Sequence, residues 1–353
     1  MQPVRFNTVW QIYYEDILVE VNSFIASANE DGYNHYAGIG QIQKAAAILD
    51  MTDWWGNIPY SEAGLGTEAI NPTFDDQQSI YSAAFGLLDS AITLLNGSNG
   101  GFAPGSDDVI YGGNISNWIK AAKAIKARAH LHLGQYGEAL SNAKASFESA
   151  ADNMSYTFGT TQQAGWWRFN DGRTGDIEFH PTLRAMMTDL NDTDRLGVWD
   201  QTFITSHPYM KADYRQDYIS YREIQFIIAE CLKRTNGSTA EMETAYLNGI
   251  NASFIDAGLS DAEFNTYATQ AAVNPGGASL DLEDHILTQK YIGLFIQPEV
   301  FNDLRRNDFP NLDPTSGSQI PVRWNYSGDE ILFNPNVPTG TTLFTPRNSW
   351  DNN

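Results

Sequence analysis

The chain has 353 residues, 42% of them apolar, and 43 acidic against 21 basic side chains give a formal net charge of −22. That balance excludes a disordered chain and repels polyanions, so nucleic acid is set aside as a partner and strongly sulfated or uronic polymers are disfavoured. Aromatics (9 Trp, 17 Tyr, 18 Phe) exceed what a plain helical core requires.

The opening Met1-Gln2-Pro3-Val4-Arg5-Phe6 has no charged-then-apolar leader and reads as a truncated or processed start. From Trp10 to Ala28 apolar residues recur at helical spacing, ending before Asn29-Glu30-Asp31-Gly32. Tyr33-Asn34-His35-Tyr36 is expected to be a polar aromatic loop. A second helix runs from about Ile39 into Trp54-Trp55, and Gly56 stops it. Asn71-Pro72-Thr73 is expected to open a third, with Thr73 as N-cap and an apolar face of Ile80, Ala84, Leu87, Ala91 and Leu94. Asn96 to Gly101 is a loop by composition.

Trp118, Ala122, Ile125, Ala129 and Leu133 fall at spacings of 4, 3, 4 and 4. A turn at Gly134-Gln135-Tyr136-Gly137 and a new helix from Glu138 make a helix pair, and the phrase Leu133 to Leu140 resembles the tetratricopeptide repeat. Ile219 to Leu232 and Glu241 to Phe254 form a second pair, and a further helix runs from about Leu282 to Phe295. Cys231, the single cysteine, shares an apolar face with Tyr221, Ile224 and Ile228 and reads as a buried small hydrophobe. Residues 152–215 and 308–353 lack long periodic runs and are expected to be large loops. No run of 18 apolar residues is present to span a membrane.

Three phrases far apart carry a family resemblance. Asp53-Trp54-Trp55-Gly56-Asn57-Ile58-Pro59-Tyr60-Ser61-Glu62-Ala63 resembles the D-x-W-G-D-I-P-Y-S-E-A phrase of the SusD/RagB family, with Asn57 for the usual Asp. Glu299 to Arg306, with Pro310, is similar to its E-x-W-x-D-x-R-R…P, with Gln297-Pro298 where Gly is common. Ile320-Pro321-Val322-Arg323 through Tyr326, Glu330 and Asn334 is similar to its I-P-x-R-x-x-Y-P-x-x-E-x-x-x-N, with Ser327 for Pro. The resemblance implies an all-α-dominated SusD-like fold. Tetratricopeptide-like helix pairs would form the scaffold over 10–151 and 216–306, with long irregular loops and small β-hairpins, as one domain over 1–353. It also implies non-catalytic capture of an oligosaccharide at the outer face of the outer membrane. The captured glycan would pass to a SusC-like TonB-dependent transporter. A lipidated N-terminal cysteine segment, absent from this chain, would be the only membrane anchor. Some members of the family take peptides or other nutrients, and that alternative stays open.

Candidate ligand contacts are Trp166, Trp167 and Arg168, read as an extended segment in which one Trp packs and one faces solvent, with Trp199 and Tyr209 nearby. Sugar rings have apolar C–H faces that suit flat aromatics, while their hydroxyls need amides and carboxylates. Tyr33, His35 and Tyr36 are a second candidate group. Against both stands plain packing. Asp53, Trp55, Gly56, Pro59 and Tyr60 are read as a structural corner. Asp303, Arg305, Arg306 and Arg323, with Tyr326, are read as internal ion pairs that lock the C-terminal loops onto helices rather than as an anion site. Catalytic signals are poor. Acid pairs such as Asp75-Asp76 are expected by chance among 43 acids, His130 and His132 lie on different helix faces, and no H-E-x-x-H occurs. Gly64 to Ala69 matches G-x-G-x-x-A but follows a turn, so a dinucleotide site is rejected. Asp189, Asn191, Asp192 and Asp194 hint at calcium but lack the EF-hand Gly and Glu. No cofactor is expected. The rival readings are an intracellular helical-repeat scaffold and an all-helical glycoside hydrolase.

Overall fold

The structure is a computed structural model that describes residues 6–173, 175–201, 207–314 and 317–351. Helices dominate. In chain order they are α1 (Asn7–Gln11), continued through a π-helical stretch (Ile12–Ile17) into α2 (Leu18–Glu30), then α3 (Asn34–Trp55), α4 (Gln77–Asn96), α5 (Ile115–His132) and α6 (Tyr136–Lys144). Strand β1 (Met154–Thr157) follows, then α7 (Gly165–Gly172), α8 (Pro181–Asp189), α9 (Thr193–Trp199) and strand β2 (Arg215–Ile219). After them come α10 (Tyr221–Arg234), α11 (Thr239–Asp256), α12 (Asp261–Ala268), α13 (Thr288–Gly293) behind a π-helical turn (Leu282–Leu287), α14 (Glu299–Asn307) and α15 (Gly328–Phe333). Contacts gather the chain into two compact units: residues up to Gly134 with those from Leu304 onward, and Gln135–Asp303.

In the first unit α3 packs against α2 and α4. Asp76, not Thr73, caps α4, accepting from the Ser79 N–H at 2.9 Å. The buried stripe of α4 is Ile80, Tyr81, Ala84, Leu88, Ala91 and Leu95. It is thus one residue round from the expected Leu87 and Leu94. Tyr33 to Tyr36 are no loop: Asn34, His35 and Tyr36 form the first turn of α3. Gly56, at φ 75°, ends α3 where an L side chain is strained.

The carbonyls left over at that helix end are satisfied from the C-terminal segment. Arg305 donates to Val322 O at 2.9 Å and to Asp53 O at 2.8 Å. Asn348 Nδ2 donates to Asp53 O at 2.6 Å, the Trp324 N–H to Trp54 O at 2.7 Å, and Arg323 to Trp55 O. Among the described residues Arg323 bonds to backbone carbonyls rather than to an acid, which corrects its expected ion pair, and Arg305 likewise reaches backbone carbonyls, where a cation suits the negative end of the helix dipole. Around them Trp55, buried, donates Nε1–H to Asn325 O at 2.8 Å, and Tyr326 donates to Asn57 O at 2.8 Å. Arg306 is half-buried on the same helix as Arg305.

In the second unit α10 packs on α6 and α11. A Cβ added at Gly249 of α11 would lie 2.9 Å from the Phe226 ring, so only glycine lets these two helices approach as they do. Ser220 and Ser238 cap α10 and α11. Cys231 is buried and in no disulfide. Asp303 pairs with buried Lys290 at 2.7 Å, and Lys290 also lies 3.5 Å from Glu230. Among the described residues of 152–215, expected to be loop, lie β1 and three short helices, and β2 begins at the end of the stretch. β1 and β2 pair antiparallel, with Tyr156 opposite Gln216.

Candidate functional site

A cleft of functional interest lies in the second unit and measures about 680 Å³, the size of ordinary small-ligand sites. Its floor comes from the β1–β2 pair, which carries Gln216 and leads into Phe158. Its wall is α7. The backbone tie from the Ala164 N–H to Ala212 O, 2.9 Å, and that from the Phe158 N–H to Tyr214 O, 3.3 Å, fix both to the segment before β2. On α7, Trp166 and Phe169 stand three residues apart and share a face. Both line the cleft, with Ile177 adding apolar surface and Asp176, Glu178 and Gln216 supplying acceptors and an amide. Trp166 is half-buried against a core of Phe179, Leu183, Met187, Trp199 and Tyr209. Phe169 is 42% exposed, with the Arg173 guanidinium 5.4 Å from its ring centroid. The result is an aromatic surface beside hydrogen-bonding groups. Gln216 donates to Gln297 Oε1 at 3.3 Å. Gln297 follows Ile296, whose φ of 60° is strained for a β-branched residue.

The candidate residues separate accordingly. Trp166 is in the cleft. Trp167 and Arg168 lie on α7 without lining it, since the segment is helical rather than extended and consecutive side chains there diverge by about a hundred degrees. Trp199 and Tyr209 are 0% and 1% exposed. The Trp199 ring stacks on Phe295 at 5.1 Å, and Tyr209 donates to Asp256 at 2.9 Å, so both belong to the core. Asp256 also accepts from Arg222 at 2.7 Å. Burial raises the Asp256 carboxyl, but Arg222 and Tyr209 outweigh it and hold the group below its usual range. Its neighbour Asp217 is pushed up by burial.

Tyr33, His35 and Tyr36, in the first unit, hold the loop that follows α4. Tyr36 donates to Asp107 Oδ2 at 2.6 Å, His35 Nε2 lies 3.2 Å from Gly97 O, and the Tyr33 ring meets Phe102 edge-on at 5.9 Å. The Asp107 bond pushes the Tyr36 hydroxyl up to about 12. Pro59 accepts from Tyr14 at 2.7 Å, and the Tyr60 and Ser61 N–H groups converge on Asp75. Asp192 of the calcium hint is spent on Arg195 at 2.9 Å. Among the described residues no group of three or more His, Cys, Asp or Glu side chains is placed to hold a metal.

Sequence reasoning missed Phe158, Asp176, Glu178 and Gln216. Only the strand pairing brings Gln216 across from Tyr156, and no spacing in the sequence announces it.

A helical scaffold bearing an open aromatic cleft is the class that the fold and site define. The pattern of the SusD-like family described as starch-binding associating with outer membrane matches residues 3–206 and 195–327, and the chain belongs to that family. No curated protein matches the chain. Among solved structures it is similar to a chitin-binding protein, at 23% identity over 98% of this chain and 88% of that one, with a TM-score of 0.82. It is similar also to SusD homologues from Bacteroides vulgatus (20% identity, 100% and 86% covered, TM-score 0.81) and Bacteroides fragilis (22%, 96% and 88%, 0.80). These likenesses bear out the helix-dominated SusD-like fold. No helix among the described residues is long and apolar enough to cross a membrane.

Proposed function

We propose that this protein captures a neutral glycan at the cell surface without catalysis and passes it to a SusC-like TonB-dependent transporter for uptake, anchored to the outer membrane by an N-terminal lipid. The observation that carries this reading is the cleft, where Trp166 and Phe169 offer flat apolar faces beside Gln216, Asp176 and Glu178. Starch binding and outer-membrane association in the family's description support it, as does the chitin-binding function named for one structural relative. Affinity is modest in this account, because stacking on one or two rings removes little area from water. Affinity electrophoresis through gels containing soluble starch or glycol chitin, followed by a glycan array, tests the reading. Retardation by a glycan with no product released from it supports capture. Release of shorter sugars would make the protein a hydrolase, and binding only to peptides would favour the peptide-capturing alternative.

A further inference from the structure

A small pocket in the first unit has a chemistry of its own and stands independently of the aromatic cleft. It lies between α2, the middle of α3 and the turn after Pro59, and holds about 50 Å³. Lys44 of α3 enters it, with Nζ 5.4 Å from the Tyr60 ring centroid. In a chain with twice as many acids as bases, a lysine withdrawn from water normally has a carboxylate beside it. Lys44 is half-buried, yet among the described residues its ammonium has no carboxylate partner, only the ring. Burial accordingly pulls its pKa below the ordinary value. The Tyr60 hydroxyl and the Asn22 amide border the same pocket, and neither has a hydrogen-bond partner among the described residues. Tyr14, by contrast, is closed off by its bond to Pro59 O. Leu18 and Val19 give an apolar wall, and Val19, 51% exposed, marks the mouth.

We propose that Lys44, Tyr60 and Asn22 form a binding site for a single carboxylate group. The ammonium supplies the charge, the phenol and amide add donors for the two oxygens, and the wall of Leu18 and Val19 covers the adjoining carbon. The volume takes a carboxylate and a carbon or two but no sugar ring, so a larger ligand would insert only its acid group. The net negative charge works against a polyanion over the whole surface, and one acid group at an unpaired lysine does not contradict that. A sugar acid and a peptide C-terminus share this chemistry.

Acylation of the full chain by an N-hydroxysuccinimide ester, quantified peptide by peptide by mass spectrometry, reads the site directly. Sodium acetate at roughly 100 mM, against chloride at equal ionic strength, is expected to slow Lys44 labelling at least about threefold by mass action while other lysines are unaffected. Galacturonate and N-acetylglycine as competitors assign the acid to the sugar or the peptide class, and protection by either supports the site. The Tyr60→Phe variant, which keeps the ring, is expected to lose much of the protection. Labelling that ignores all three acids, equal protection by phosphate or chloride, or full protection in Tyr60→Phe would each overturn the proposal.

Discussion

Asp256 and Trp199 illustrate how much a single side chain's surroundings decide. Asp256 serves a buried guanidinium and a buried phenol at once. Asp256→Asn leaves Arg222 uncompensated and is expected to cost about 3–5 kcal/mol in denaturant unfolding. The pH sign follows from its lowered pKa. The stability it contributes is complete above the unfolded carboxyl value of about 3.9 and lost as the pH falls through the lower folded value, so the variant should lack that acid-side decline. Trp199→Ala is expected to cost about 3–5 kcal/mol as a core deletion. Nothing in the sequence separates Trp199 from Trp166, because both sit in aromatic, glycine-containing stretches without long periodicity. The difference is made by Phe295, 96 positions beyond Trp199, which stacks on one and leaves the other half-exposed.

Elements were legible where their periodicity was long. The helices around Trp118 and Ile224, and the glycine stop at Gly56, follow directly from spacing and propensity. The face of α4 did not. Leu87 and Leu88, and Leu94 and Leu95, are adjacent pairs, so two stripes fit a 3.6-residue period equally well, and packing against α3 selects one. Leu88→Ala is therefore expected to cost about 2–5 kcal/mol and Leu87→Ala clearly less, by chemical denaturation. The end of α3 was legible as a corner, but its chemistry was not, since the acceptors are backbone atoms that no sequence displays. Arg305→Met removes the donor at Val322 O and one of two donors at Asp53 O and is expected to lower stability by about 1–3 kcal/mol. Helix α7 does not show in the sequence because six residues between Gly165 and Gly172 leave too short a run for a helical repeat to register.

For the molecule as a whole, helices supply two rigid frames, and the less periodic stretches supply the surfaces. The first and third family phrases fall at the end of α3 and in the segment that caps it, joined by Arg305 of the second, so these residues mark what stabilises that corner of the first unit. The cleft lies in the second unit, in residues that none of those phrases includes. Membership was thus readable from the sequence, whereas the site required the structure. The most direct measurement is isothermal titration calorimetry of the glycan retained on the gels with the wild type, the Trp166→Ala,Phe169→Ala double variant and Trp167→Ala. The account predicts a loss of roughly tenfold or more in the double variant, about 1.4 kcal/mol, and little change in Trp167→Ala. Wild-type affinity in a folded double variant would contradict it.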